Sequence, residues 1–198
     1  MSQPLDPVRD HVRGHFARAG AVAEPDTASV TFLGVERMDV MRFGPDPEGV
    51  IHYVSLGCSR HAMTDPASVA ADPLRGPRAE IVMSLRGTAT TPGLARTMAV
   101  IAATPAVEGV VLVPDALVDL SGPLWQGAAF TAVLLGESGM ADLVLEAPRE
   151  PVRFLSAVPI TQTEAAWVRL KGADAMRQAW RDDGVDVLDP GRRAARPQ

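Results

Sequence analysis

The ten residues HYVSLGCSRH, His52 to His61, contain two of the chain's four histidines, two serines and its only cysteine. Side chains of these types carry out nucleophilic catalysis or bind metal ions, so the first question is whether their spacing permits either. His52 and Ser55 lie three apart on a segment whose apolar pattern predicts a strand. The two-residue period of a strand sends them to opposite faces, which excludes a local Ser–His dyad. Cys58 and His61 could meet across a turn, and a small hydrolase or metal-dependent enzyme built on Cys58 and His61 is the alternative to a chain without catalysis. Such a hydrolase also needs an oxyanion hole and a group that orients the base.

Cys58-x-x-His61 is half of a zinc site, and His11 and His15 share one helix face at i, i+4. Either half is a weak signal, and His15 beside an apolar helix stripe reads as a tucked, hydrogen-bonded histidine. No metal and no cofactor are expected. The sequence has no G-x-x-x-x-G-K-[ST] loop, no G-x-S-x-G elbow and no H-E-x-x-H pair. Gly87, Gly93 and Gly109 are spread like turn residues. The few aromatic side chains, among them Phe16, Phe32, Phe43 and Trp167, read as core anchors.

A chain of 198 residues with 46% apolar and 22% charged side chains suits one globular domain that buries roughly 70% of its unfolded surface. No apolar run reaches the roughly 20 residues of a membrane helix. The opening MSQPLDPVRDHVRGHF lacks the apolar core of a secretory signal, so a cytoplasmic location is expected. One cysteine asks for no oxidising compartment. The net charge of -5 argues against nucleic-acid binding, which needs a basic face to displace phosphate counterions. The basic end, DPGRRAARPQ, has no apolar pattern; residues 186–198 are expected to be a flexible tail after a domain spanning 1–185.

The elements that would position the motif follow from periodicity. Leu5, Val8, Val12, Phe16 and Ala19 form one face of a helix with Asp6 as its cap, Pro7 in its first turn and Gly20 as its stop. VTFLGV, DVMRFG and VIHYVSL predict three strands, with a turn at FGPDPEGV. Val50, His52, Val54 and Leu56 share one side of the third strand, Ile51, Tyr53 and Ser55 the other, so it belongs inside a sheet. Thr64 to Arg78 reads as a surface loop. AEIVMSL is a further strand, followed by a helix with Thr91 as cap, Pro92 inside its start and Pro105 just past its end. GVVLVP, AFTAVLLG, DLVLEA and VRFLSAVPI predict more strands. Thr161 and Glu164 make a capping box for a closing helix that Gly172 interrupts before a second stripe of Met176, Ala179 and Trp180. The order predicts a single α+β domain with a mixed, largely antiparallel β-sheet flanked by helices.

HYVSLGCS, His52 to Ser59, resembles the signature of the suppressor-of-fused (SUFU-like) domain, a strand reading His-Tyr-apolar-Ser that ends in a Gly-x-Ser turn. The later blocks are similar in order: MDVMRF, RAEIVMSL with Glu80, PGLARTMAVIA, FTAVLLGE, and FLSAVPITQTEAAWVRLKG with its Val-Pro-Ile segment. They cover about Leu5 to Gly184. The resemblance implies an α/β fold and a non-enzymatic binding protein, with His52, Ser55, Gly57, Pro159 and Thr161 as structural motif residues. Gly57 then permits a sharp exit from the strand, and Ser55 and Ser59 bond to nearby backbone. A functional reading of the same residues has Tyr53, Ser59 and His61 border a partner-binding groove, with Glu80 and Glu164 as carboxylates for a cationic partner. Glu164 also reads as half of the capping box. Bacterial single-domain relatives are regarded as immunity proteins, which implies a protein partner, such as a cognate toxin, bound by an acidic surface without nucleic acid or membrane. The transcription factor sequestered by the two-domain animal member is not carried over.

Overall fold

The computed structural model describes residues 5–21, 24–32, 37–64, 72, 74–87 and 89–196. Its first helix, α1 (Asp6–Arg18), turns Val8, Val12 and Phe16 inward, as the spacing predicts. Its cap is Leu5 and not Asp6: the Asp6 carboxylate lies inside the first turn and accepts from Arg9 at 3.0 Å.

Among the described residues seven strands form one sheet: β1 (Asp26–Val30), β2 (Met38–Phe43), β3 (Val50–Leu56), β4 (Arg78–Arg86), β5 (Leu117–Asp119), β6 (Phe130–Glu137) and β7 (Val152–Thr161). The order is β1-β2-β3-β4-β7-β6-β5. Only β4 and β7 pair in parallel; every other neighbouring pair is antiparallel. The expected α+β class with a mixed, largely antiparallel sheet is what the molecule has. Two antiparallel halves thus meet along one parallel seam, which requires the long connection through α2 (Leu94–Glu108).

Strand alternation gives the sheet two apolar faces. On one, α2 lays Met98, Ile101 and Ala102 over Tyr53, Met83, Leu85 and Val133. On the other, α1 packs Val12 and Phe16 on Phe43, Val54 and Phe154. The same face, farther along, receives α3 (Gln162–Lys171) and α4 (Ala173–Asp182), whose Met176 and Trp180 cover Leu134 and Ile160. Complete burial of such side chains contributes about 1.5–3 kcal/mol each.

Several boundaries differ from the sequence reading for identifiable reasons. The first strand lies at Asp26–Val30 and takes only Val30 from VTFLGV, whose residues 33–35 fall outside the described residues, as does most of the Thr64–Arg78 loop. GVVLVP joins no ladder; the strand comes later, at Leu117–Asp119. DLVLEA makes one bridge, Leu143 to Val152, beside β7 just past the last β6 pair at Leu155. Helix α2 is capped by Gly93 rather than Thr91, and it runs through Pro105 to stop at the left-handed Gly109. Proline cannot donate to the Ile101 carbonyl, and the Thr104 hydroxyl does so instead at 2.7 Å. The flexible tail expected at 186–198 is corrected over its described residues, 186–196. The segment after α4 folds back, Leu188 accepts from the Arg86 amide at 2.8 Å, and Arg192 and Ala195 are buried.

Gly57 ends β3 at φ 140°, where an added β-carbon would stand 2.8 Å from Met38 Sδ and 3.3 Å from the Arg37 carbonyl. A Gly57→Ala variant should therefore lose about 1–3 kcal/mol of stability, read as a lowered urea midpoint. An unchanged midpoint would show that the turn tolerates a side chain.

Candidate functional site

At the exit of β3 the paired register with β4 runs to Val54 opposite Val82. Beyond it the Ile81 amide donates to Ser55 Oγ at 2.9 Å, and the Ser55 hydroxyl donates in turn to Glu80 Oε2 at 2.5 Å. Glu80 Oε1 accepts from the Gly57 amide at 2.9 Å, the Ser59 amide at 3.0 Å and the Ser59 hydroxyl at 2.6 Å. The signature turn is thus wrapped around a carboxylate with 0% exposure. Burial pushes the Glu80 carboxyl above its usual range, and the four neutral donors act against that shift. Ser55 and Ser59 bond this carboxylate, whereas the sequence reading paired them with backbone.

Cys58, in the 3-10 turn Cys58–Arg60, is buried. Burial and the neighbouring Glu80 charge push its thiol well above the ordinary value, so it stays protonated at neutral pH and is poor as a nucleophile or a ligand. His61 is exposed. This removes the ground for a Cys58/His61 enzyme. His11 stacks on Phe154 at 5.2 Å and bonds the Ala141 carbonyl at 2.8 Å, while burial lowers the His15 pKa. Among the described residues no three His, Cys, Asp or Glu side chains gather as metal ligands.

A second buried carboxylate organises the far half. The capping box of α3 forms as expected: the Thr161 amide donates to Glu164 Oε2 at 2.9 Å, and the Glu164 amide to Thr161 Oγ1 at 3.3 Å. Arg192 grips the same carboxylate with Nη1 to Oε1 at 2.8 Å and Nη2 to Oε2 at 3.0 Å, and its Nη2 also donates to the Pro159 carbonyl. Trp180 Nε1 and the Ala195 amide complete the shell at 2.9 and 3.1 Å. The guanidinium lies 4.9 Å from the Phe130 ring centre and 5.6 Å from that of Trp180. Burial pushes the Glu164 carboxyl upward, but Arg192, the Thr161 amide and Trp180 together hold it below the usual range.

The five residues read as partner-facing therefore do not assemble into one groove. Tyr53 is 8% exposed and bonds Thr91 Oγ1 at 3.0 Å on the α2 face; Ser59 is 4% exposed, and Glu80 and Glu164 are 0%. Both carboxylates are saturated from inside, so they are internal anchors and not contacts for an external cation. His61 alone of the five lies at the surface.

Sequence reasoning missed a different constellation. Between α1 and the C-terminal segment the sheet keeps an open groove of about 290 Å³. His52, Ser84 and Ser156 line it from the strands, and Phe16, Met140 and Leu188 from the elements around it. His52 lies directly opposite Ser84, with Nδ1 2.8 Å from Ser84 Oγ. Its Nε2 is 3.1 Å from Asp46 Oδ2, and Asp46 Oδ1 accepts the amides of Glu48 and Val50, each at 2.9 Å. The period of β3 predicts which way His52 points, but no local signal identifies Ser84, 32 residues away, as its partner.

Glu80→Gln would place an amide group where four donors already converge, and should cost about 3 kcal/mol in urea unfolding. Little change would assign the turn's stability elsewhere. Because the folded pKa of Glu164 is depressed, its contribution is complete above the unfolded value of about 4.3 and is lost as pH falls through the folded value. Arg192→Met should cost about 3–5 kcal/mol at pH 7 and flatten that acid limb. An acid limb unaltered in the variant would assign it to other carboxylates.

Comparison with known proteins gives this fold a family. No curated protein matches the sequence. Among solved structures, a suppressor-of-fused homologue from Neisseria gonorrhoeae FA 1090 superposes with a TM-score of 0.68 at 18% identity, covering 98% of this chain and 97% of the other. The chain in a Sufu–Fu complex gives 0.66 at 15% identity, over 97% of this chain and 91% of that one. Drosophila Suppressor of Fused gives 0.66 at 15% identity, over 95% of this chain but 50% of its own length. At such identities the likeness is one of fold. The model of the suppressor of fused protein family matches residues 34–193, past the boundary expected at 185 and through Arg192, and the chain belongs to that family.

Proposed function

We propose that this protein is a protein-binding domain that sequesters a partner, in the manner of a bacterial immunity protein holding a toxin. The observation that carries the reading is the family match over residues 34–193, in a regulatory protein-binding family. A structural relative is a Sufu–Fu complex, so a chain of this fold engages a protein partner there. Sequestration works by stoichiometric occlusion and needs no turnover.

The partner's chemistry follows from charge. A net charge of -5 favours encounter with a basic protein. With Glu80 and Glu164 withdrawn into the core, the carboxylates available for contact are those at the surface. The β6–β7 connection exposes Asp142, Glu146 and Glu150, together with Arg149 and with Val144, which is 77% exposed. An exposed apolar side chain on a stretch where carboxylates outnumber cations suits a cationic surface with a shallow apolar spot. Among the described residues no helix is long and apolar enough to cross a membrane.

Tagged protein purified from its native host should bring down a basic protein at a near one-to-one ratio. The reconstituted pair should suppress that protein's activity at equimolar amounts. Charge reversal at Asp142, Glu146 and Glu150 should weaken the complex at least tenfold without lowering the melting temperature. Recovery of the protein alone, at native expression and low salt, would remove the sequestration reading.

A further inference from the structure

We propose that Ser84 is an activated nucleophile that accepts acyl groups from small apolar carboxylic esters in the groove, with His52 as general base and Asp46 as its positioning carboxylate. Protonation states follow from the hydrogen bonds. Asp46 is ionised at neutral pH: burial raises its carboxyl, but the Val50 and Glu48 amides and His52 outweigh it and hold it low. An ionised carboxylate only accepts, so His52 Nε2 carries the proton toward Asp46 Oδ2, 3.1 Å away. Nδ1 is then a bare lone pair facing Ser84 Oγ at 2.8 Å, and the hydroxyl must be the donor. The result is the hydroxyl–imidazole–carboxylate sequence of serine hydrolases with the two ring nitrogens exchanged.

Rigidity and access support the assignment. His52 and Ser84 are opposed residues on neighbouring strands, and Asp46 is pinned in the β2–β3 turn by two amides. Anchoring that turn needs only the Nε2 contact. It does not account for a hydroxyl on Nδ1 at the edge of an open groove. The side chains of His52 and Asp46 are each 14% exposed, and Ser84 is half-buried. Phe16, Met140 and Leu188 offer apolar contact to a short acyl chain, and the hydroxyls of Ser138 and Ser156 line the same space as donors for a developing oxyanion.

In the reaction Ser84 Oγ bonds to the carbonyl carbon as its proton passes to His52 Nδ1 and the carbonyl π pair moves onto oxygen. Collapse breaks the bond to the leaving alkoxide, which takes that proton and departs as the alcohol. Water then attacks acyl-Ser84, giving its proton to Nδ1, and the carboxylic acid leaves as the proton returns to Ser84. Ester and water are the only reactants.

The test uses the full chain with p-nitrophenyl butyrate, following p-nitrophenolate release and mapping the butyryl adduct by mass spectrometry. A single adduct on Ser84 is expected, absent from Ser84→Ala and from urea-unfolded protein. His15 also lines the groove, and His15→Gln should leave the rate of adduct formation unchanged. Asp46→Asn keeps an oxygen for the turn amides and should lower that rate about 100-fold with the melting temperature retained. No adduct, adducts scattered over surface serines, or a rate indifferent to Asp46→Asn would overturn the proposal. It is independent of partner capture, which neither Ser84→Ala nor Asp46→Asn should affect.

Discussion

A carboxylate taken out of water must be given donors or it will not stay buried, and in this protein that demand falls on Glu80. It lies on β4, opposite Phe154, in the parallel pairing with β7 where the two antiparallel halves join. Its four hydrogen bonds all come from the Ser55–Ser59 turn, so satisfying one charge shapes the exit of β3. The family signature reads physically as that requirement. The two serines supply hydroxyls, the glycine supplies an amide at a backbone angle that disfavours a side chain, and the cysteine is carried along as a buried apolar residue.

Glu164 applies the same logic with a cation in place of neutral donors. It closes the capping box of α3 and then draws in Arg192, which brings the chain end across Phe130 and Trp180. A buried pair of this kind contributes modest net stability but is costly to break, so its main effect is to fix where the last residues lie. Leu188, placed by the same fold-back, becomes part of the groove. The two internal carboxylates therefore set the exit of β3 and the course of the chain end, and the groove lies on the stretch between α1 and the segment Arg192 tethers.

That stretch shows how one face can be core and surface at once. Large apolar side chains occupy it wherever a helix lies above, as at Val54, Phe154, Leu134 and Ile160. Where the helices part, the positions are His52, Ser84 and Ser156, small or polar groups that tolerate water. Protein binding and groove reactivity are separable because the exposed carboxylates of the β6–β7 connection lie apart in sequence from His52 and Ser84 on the paired strands β3 and β4 and from Asp46 in the β2–β3 turn.

Local pattern alone determined most of the architecture. The α1 stripe, the cores of β2, β3, β4, β6 and β7, the Thr161–Glu164 capping box and the α+β class all rest on periods of 3.6 and 2 or on a cap four residues long, and each is complete within a short stretch of chain. DLVLEA has the pattern of a strand but makes a single bridge, because a strand exists only where a neighbour offers a length of ladder, which is a property of the sheet. The end of the chain was misread because Arg192 is charged and its partner Glu164 lies 28 residues earlier. Ser84 was missed for the same reason. Pairing across β3 and β4, the inward turn of Glu80 and the gap between helical layers depend on contacts between residues far apart in sequence, and only tertiary structure decides those.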